Sequence, residues 1–353
     1  MDMPALLGRA VCGLTAGILL TVASAVAQEP PKPSQIVFND SGGAMTKAMR
    51  EAFYNEFEKR YGIRVVTTSP VDAGKLKAMV ESGNVEWTVT EIGPEDAMRI
   101  EKLGLLEPLD RKVIDLTQYP KHLHDRKYIM PKGVYTTVLG YRSDAFKDGK
   151  GPTSWADFWN VKKFPGPRTL RDSPIDNLEF ALLADGVAPD KLYPLDVERA
   201  FKKLDQIKPH ISVWWKTGAQ SAQLLVDKEA IMGSAWNGRY YVAIKNGAPL
   251  HIEWNQGMIK ESAFVIPKGA KDAYWGQKML ALITEPKLQG IYANIITYPG
   301  LNLASMDYVK PELKTFMPTH PDNLPKQVWT NAQWWLENGK AMQERWSAWI
   351  LKK

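Results

Sequence analysis

Two short stretches combine residue types that can hold a small charged molecule. The first is Asp40-Ser41-Gly42-Gly43. A Ser-Gly-Gly turn ahead of a helix presents backbone N–H groups and the positive end of that helix, which suits a carboxylate or a phosphate. The second is Trp236-Asn237-Gly238-Arg239. Asn and Gly favour a turn, so the spacing predicts an indole held partly exposed at the mouth of a cleft. Arg239 beside it would serve as a carboxylate partner. Glu91 ends another apolar segment and supplies negative charge. Of Trp214 and Trp215, one is expected in a core and one, taken as Trp215, at the cleft. His122 and His124 lie two apart near Pro120, a poor spacing for metal ligands, so neither a metal nor a cofactor is expected.

The elements that must position these residues follow from the apolar patterning. Residues 35–38 read as a strand running into the Asp40 turn. A helix follows to Tyr61, with Met45, Met49, Phe53 and Phe57 spaced four apart on one face and Gly62 as its C-cap. Residues 63–67 form the next strand, 72–81 a helix and 86–91 a third strand. This order predicts a parallel α/β sheet, in which ligands sit beyond the carboxyl ends of the strands. Asp40 to Gly43 and Glu91 to Pro94 fall on that edge. A long strand over 133–142 leaves the first unit, and the pattern then restarts. Ser154, Asp196 and Thr217 are placed to cap three helices, and residues 168–170 form a strand ending at Asp172. A helix runs over 176–184, and residues 261–267 read as a strand re-entering the first unit. The chain closes with a helix from Asn331 carrying Trp334, Trp335, Trp346 and Trp349, spaced for packing.

Composition narrows the function. Arg9, an apolar run over residues 10–22 and Ala25-Val26-Ala27 read as a secretory signal cleaved after Ala27. The one cysteine, Cys12, lies inside it, so the exported chain would carry no disulfide and no thiolate nucleophile. A net charge of +6 is spread among interleaved acids and bases, which argues against nucleic-acid binding. Thirteen tryptophans in an exported chain point to flat surfaces for a ligand as well as to core. A secreted hydrolase would need a nucleophile–base pair, a carboxylate pair or a metal set, and neither Gly-x-Ser-x-Gly nor His-Glu-x-x-His is present. An exported carbohydrate-binding protein is the other alternative, argued from tryptophan content.

Several motifs in order carry a resemblance. They are the segments Phe57-Glu58-Lys59-Arg60-Tyr61-Gly62, Leu103-Gly104-Leu105-Leu106-Glu107-Pro108-Leu109-Asp110 and Gly140-Tyr141-Arg142-Ser143-Asp144. Ser154-Trp155-Ala156-Asp157-Phe158-Trp159, Trp236-Asn237-Gly238, Ile266-Pro267-Lys268-Gly269 and Tyr298-Pro299-Gly300-Leu301-Asn302 complete the set. Together they resemble the periplasmic solute-binding proteins of ATP-driven (ABC) importers, in the group of the spermidine/putrescine-binding proteins. The resemblance implies an α/β, two-lobed periplasmic-binding-protein fold of type II with a ligand cleft between the lobes. Lobe one would hold residues 34–139 and 264–300, and lobe two residues 141–262 and 302–353. The implied function is capture of a small amine-containing solute, polyamine-like or amino-acid-like, by cleft closure. The solute would then pass to an ABC permease in the inner membrane from a periplasmic, monomeric, non-enzymatic protein. By the same resemblance Trp236 and Tyr298 line the cleft, and Ser173 and Asp176 fall where polyamine binders grip ammonium groups. Lys260 and Ser262 stand where that group has a Trp and an Asp, which removes part of an ammonium cage. Asp176 and Glu91 against Lys260, Arg239 and the Ser41 to Gly43 amides would then favour an amine that also bears an acid group.

Overall fold

Met45, Met49, Phe53 and Phe57 are all buried along one continuous helix over residues 44–61, which has a π-helical turn at Arg50–Tyr54. Gly62 ends it in the left-handed region at φ 69°, where glycine has no Cβ to clash. The helix packs on β1 (Gln35–Asn39), whose Ile36 and Phe38 join it in a core with Trp275 and Tyr292. The computed structural model describes residue 1 and residues 29–352 except 147 and 149, without the His122 side chain. The expected leader, with Arg9, Cys12 and Ala27, lies outside the described residues. Lys32–Lys353 form a single unit. Among the described residues no helix is long and apolar enough to cross a membrane.

The strands after β1 are β2 (Arg64–Thr68), β3 (Val89–Ile92), β4 (Met130–Arg142), β5 (Arg168–Arg171), β6 (Ile211–Trp215), β7 (Met232–Trp236), β8 (Leu250–Val265) and β9 (Val328–Trp329). They form one sheet in the order β2-β1-β3-β8-β4-β7-β5-β6, with β9 added beside β8. The expected parallel pairing holds within β2-β1-β3 and within β7-β5-β6. The sheet as a whole is mixed, because β4 and β8 pair antiparallel with each other and with β7 and β3 respectively, while β9 joins β8 in parallel. Residues 261–267, read as a short strand, are instead largely the end of β8. At 13 and 16 residues β4 and β8 extend about 43 and 53 Å, enough to run through both parallel halves. Their register shifts between Pro131 and Gly133 and again between Thr137 and Leu139, so the ribbon joining the halves is irregular. A Cβ at Gly133 would lie 2.4 Å from the Pro299 carbonyl oxygen, so only glycine lets that segment pass so closely.

Each half has its own core. The second gathers Trp155, Phe158, Leu170, Phe180, Phe201, Trp335 and Trp346. Ser154, Asp196 and Thr217 cap their helices as read, each side chain accepting from the backbone N–H three residues on. The helix Ala332–Leu351 is tied to this half through its indoles: Trp335 donates to Glu179 at 2.7 Å, Trp346 to Asp172 at 2.8 Å and Trp349 to Asp205 at 2.7 Å. It also touches the helix Pro94–Lys102 of the first half. The Trp-Asn-Gly segment is not the free turn its composition suggested. Trp236 ends β7 and Asn237 opens the helix Asn237–Lys245. Asn237 is buried, accepting from the Thr136 N–H at 3.0 Å and donating to the Thr297 carbonyl at 3.3 Å. A Cβ at Gly238 would lie 2.4 Å from the Ile296 carbonyl oxygen, so the segment is a tightly packed strand-to-helix junction.

Candidate functional site

A cavity of about 190 Å³ lies where the two halves meet. This is below the roughly 300–1,000 Å³ of pockets for drug-sized ligands, and suits a small solute. The first half contributes Ser41 and Met45 at the end of β1, Pro70 and Val71 after β2, and Glu91, Ile92, Gly93, Glu95 and Asp96 around the end of β3. The second contributes Arg171 at the end of β5, Lys216 to Gly218 after β6, and Trp236 at the end of β7. Tyr135 and Ser262 come from the joining strands, and Tyr298 from the segment crossing beside them. Most of these are carboxyl ends of parallel strands, the edge where α/β sheets bind ligands.

Of the residues picked out from the sequence, Ser41, Glu91, Trp236, Ser262 and Tyr298 line this cavity. The others do not line it. Asp40 is fully buried beneath the turn, accepting from the Gly42 N–H at 2.9 Å, from Thr46 and from the Tyr54 hydroxyl at 3.0 Å. Burial raises its pKa despite those bonds. Two of the turn amides are taken by protein carboxylates: Ser41 N–H and Oγ go to Glu91 Oε2 at 3.3 and 2.9 Å, and Gly42 N–H goes to Asp40. Gly42 and Gly43 have φ of 72° and 60°, and a Cβ on Gly43 would meet Ala219 at 3.2 Å. Arg239 is buried and faces that turn, donating to the Gly42 carbonyl at 3.1 Å and the Ser41 carbonyl at 3.3 Å. Trp215 lies in the interior with its Nε1 3.3 Å from Ser234 Oγ, and supports Trp236 edge-on at 5.8 Å. Ser173 Oγ accepts from the Ile175 N–H at 3.2 Å. Asp176 and Lys260 pair with each other, out of solvent.

The charges on the cavity wall sort into paired and unpaired. Glu91 is paired with the buried Lys132 at 2.8 Å, Asp96 with Arg99 at 2.5 Å and Lys216 with Asp172 at 3.7 Å. Two remain. Among the described residues Arg171 has no carboxylate partner and donates no hydrogen bond; its guanidinium stands 5.7 Å from the Trp236 ring centroid and 5.8 Å from that of Trp215. Glu95 likewise has no ion-pair partner among the described residues, and burial followed by repulsion from Asp96 raises its pKa. Two neutral donors, Trp236 Nε1 and Tyr298 Oη, are buried at the same wall with no partner among the described residues. The site therefore offers one open anion, one open cation and two open donors around an aromatic surface made by Trp236, Tyr135 and Tyr298. Sequence reasoning passed over the first charge and stopped one residue short of the second. It ended β5 at Asp172 without placing Arg171 on the binding edge, and it took the β3 edge only as far as Pro94.

Residues 52–319 match the family of bacterial extracellular solute-binding proteins. Over 326 residues the chain is 33% identical to the gamma-aminobutyric acid-binding protein of Pseudomonas aeruginosa, covering 88% of this chain and 89% of that one. Its fold is similar to the solved structure of the Atu4243 GABA receptor, at 37% identity and TM-score 0.80, over 90% of this chain and 98% of that one. It is also similar to an ABC transporter substrate-binding protein from Bradyrhizobium japonicum, at 40% identity and TM-score 0.82, over 91% and 100% of the two chains. The chain belongs to the bacterial extracellular solute-binding proteins. Its fold is the two-lobed α/β fold of periplasmic binding proteins, as the resemblance implied.

Proposed function

We propose that this protein is the solute-binding component of an ABC importer and that its solute is a small ω-amino acid of the γ-aminobutyrate type. The observation that carries the solute class is the pair of open charges, Arg171 and Glu95, on one small cavity. Arg171 and Glu95 are half-buried, and a cleft closing over them would take their charges further out of water, which is costly unless each meets a countercharge. A zwitterion with separated ends supplies one of each, its carboxylate to the Arg171 fork and its ammonium to Glu95. A diamine leaves Arg171 facing a like charge, and a dicarboxylate does the same to Glu95. The γ-aminobutyrate-binding names of two relatives support this reading. Lobe one is assigned residues 34–139 and 264–300 and lobe two residues 141–262 and 302–353, the solute closing one on the other. The protein acts without catalysis or cofactor as a periplasmic monomer and hands its solute to an inner-membrane permease.

Calorimetric titration of the protein lacking residues 1–27 tests this. γ-Aminobutyrate and 5-aminopentanoate are expected to bind more tightly than 1,4-diaminobutane or glutarate. Arg171→Gln should weaken the amino acids by about 10–100-fold, the range for losing hydrogen bonds to a charged group. Affinity should also fall as pH drops through the raised Glu95 pKa, because the protonated acid no longer pairs with an ammonium, and Glu95→Gln should remove that dependence. Tighter binding of the diamine or the diacid by the unmodified protein would refute the assignment.

A further inference from the structure

Lys260 lies directly across the β4–β8 ribbon from Tyr135, and residues so paired share a face of the sheet. Ser262, two residues on, shares it as well. Tyr135 and Ser262 both line the cavity, so the Lys260 stem runs along the cavity's own sheet face. Its ammonium turns from there onto Asp176 and stands 5.8 Å from the centroid of the Tyr135 ring. Thr137 Oγ1 completes the acid, donating to Asp176 Oδ2 at 2.8 Å. Both charged residues are buried, Lys260 4% and Asp176 0% exposed. Asp176 is held at φ 73°, a conformation that side-chain-bearing residues rarely adopt and that surrounding contacts must enforce.

A carboxylate beside an aromatic face is the chemistry of an ammonium receptor. Here the ammonium is covalently part of the chain. We propose that Lys260 is a tethered occupant of a second ammonium subsite adjoining the solute cavity, and that it restricts the protein to solutes with one ammonium group. Removing the side chain would leave an unpaired buried carboxylate and the space of a four-carbon stem, which a protonated alkylamine can fill. The claim about solutes rests on the ω-amino-acid reading; the claim about the subsite does not.

The test compares the melting of wild type, Lys260→Ala and the double variant Lys260→Ala/Asp176→Asn, with and without millimolar propylammonium or 1,4-diaminobutane. The double variant removes both charges, a change that buried pairs often tolerate, and so reports whether the space alone unfolds the protein. The amines should raise the melting temperature of Lys260→Ala and leave wild type and the double variant unmoved. The affinity of Lys260→Ala for the diamine should exceed that of wild type by at least about tenfold, a fraction of what re-pairing a buried charge is worth. If Lys260→Ala is unfolded alone, the amines should refold it. The proposal fails if the amines neither stabilise nor refold Lys260→Ala, or if they stabilise the double variant equally. A wild type that binds no γ-aminobutyrate would count against the proposed solute while leaving this comparison intact.

Discussion

Glu179 is a buried carboxyl with one oxygen satisfied and one not. Its Oε1 accepts from the Tyr193 hydroxyl at 2.6 Å and from Trp335 at 2.7 Å, while Oε2 has no partner among the described residues. Burial, and then the charge of Asp176, push its pKa from 4.5 up to about 7. The unfolded chain releases this proton near the ordinary value and the folded chain holds it to about neutrality. Stability therefore falls as pH rises between those values, by at most about 3 kcal/mol. Urea unfolding from acid to mildly alkaline pH should show that slope, and Glu179→Gln, which keeps the acceptor, should flatten it. An unchanged slope would assign it to another group. Individual residues were unevenly legible in the sequence. A helix cap such as Asp196 is set by residues three apart and reads directly. The partner of Lys260 lies 84 residues away, and no local signal distinguishes a lysine aimed at a solute from one aimed at an internal acid.

At the scale of elements, the informative contact is between the helix Asn237–Lys245 and the turn after β1. Arg239 on that helix reaches two carbonyls, Ser41 and Gly42, on the opposite side of the cavity. A guanidinium on two neutral carbonyls favours the arrangement in which the halves are together, and contributes nothing once they part. Arg239→Ala should lower the closed fraction and so weaken solute binding by about 10–100-fold, as expected for hydrogen bonds to a charged group. Small-angle scattering of the solute-saturated variant should then show a larger radius of gyration than wild type. Equal radii would mean that the contact does not hold the halves together. The elements themselves were largely legible, because period and caps are local. Two were misread for reasons of packing. Asn237 and Gly238 look like turn formers, yet here one satisfies buried backbone and the other admits a close neighbour. Gln256, at φ 61°, and Gly257 look like a turn, which hid that the strand begun at Leu250 continues into residues 261–265.

At the scale of the molecule, the fold class was readable because ordered motifs along nearly the whole chain agree with one architecture. The cavity was half readable. Ser41, Glu91, Trp236, Ser262 and Tyr298 were found, whereas Arg171 and Glu95 needed the two halves placed against each other. What sequence could not show is which charges neutralise one another, since that depends on distances between strands remote in the chain.

The tryptophan distribution also decides what light the protein emits. Of thirteen indoles, three anchor the C-terminal helix to carboxylates, and among the described residues Trp236 alone lines the cavity. Intrinsic fluorescence is therefore chiefly a gauge of the second half's packing, and solute binding should appear as a small change on a large constant signal. Trp236→Phe should abolish that change while keeping most of the emission, and loosening of the C-terminal helix by urea should alter the spectrum far more than any solute does.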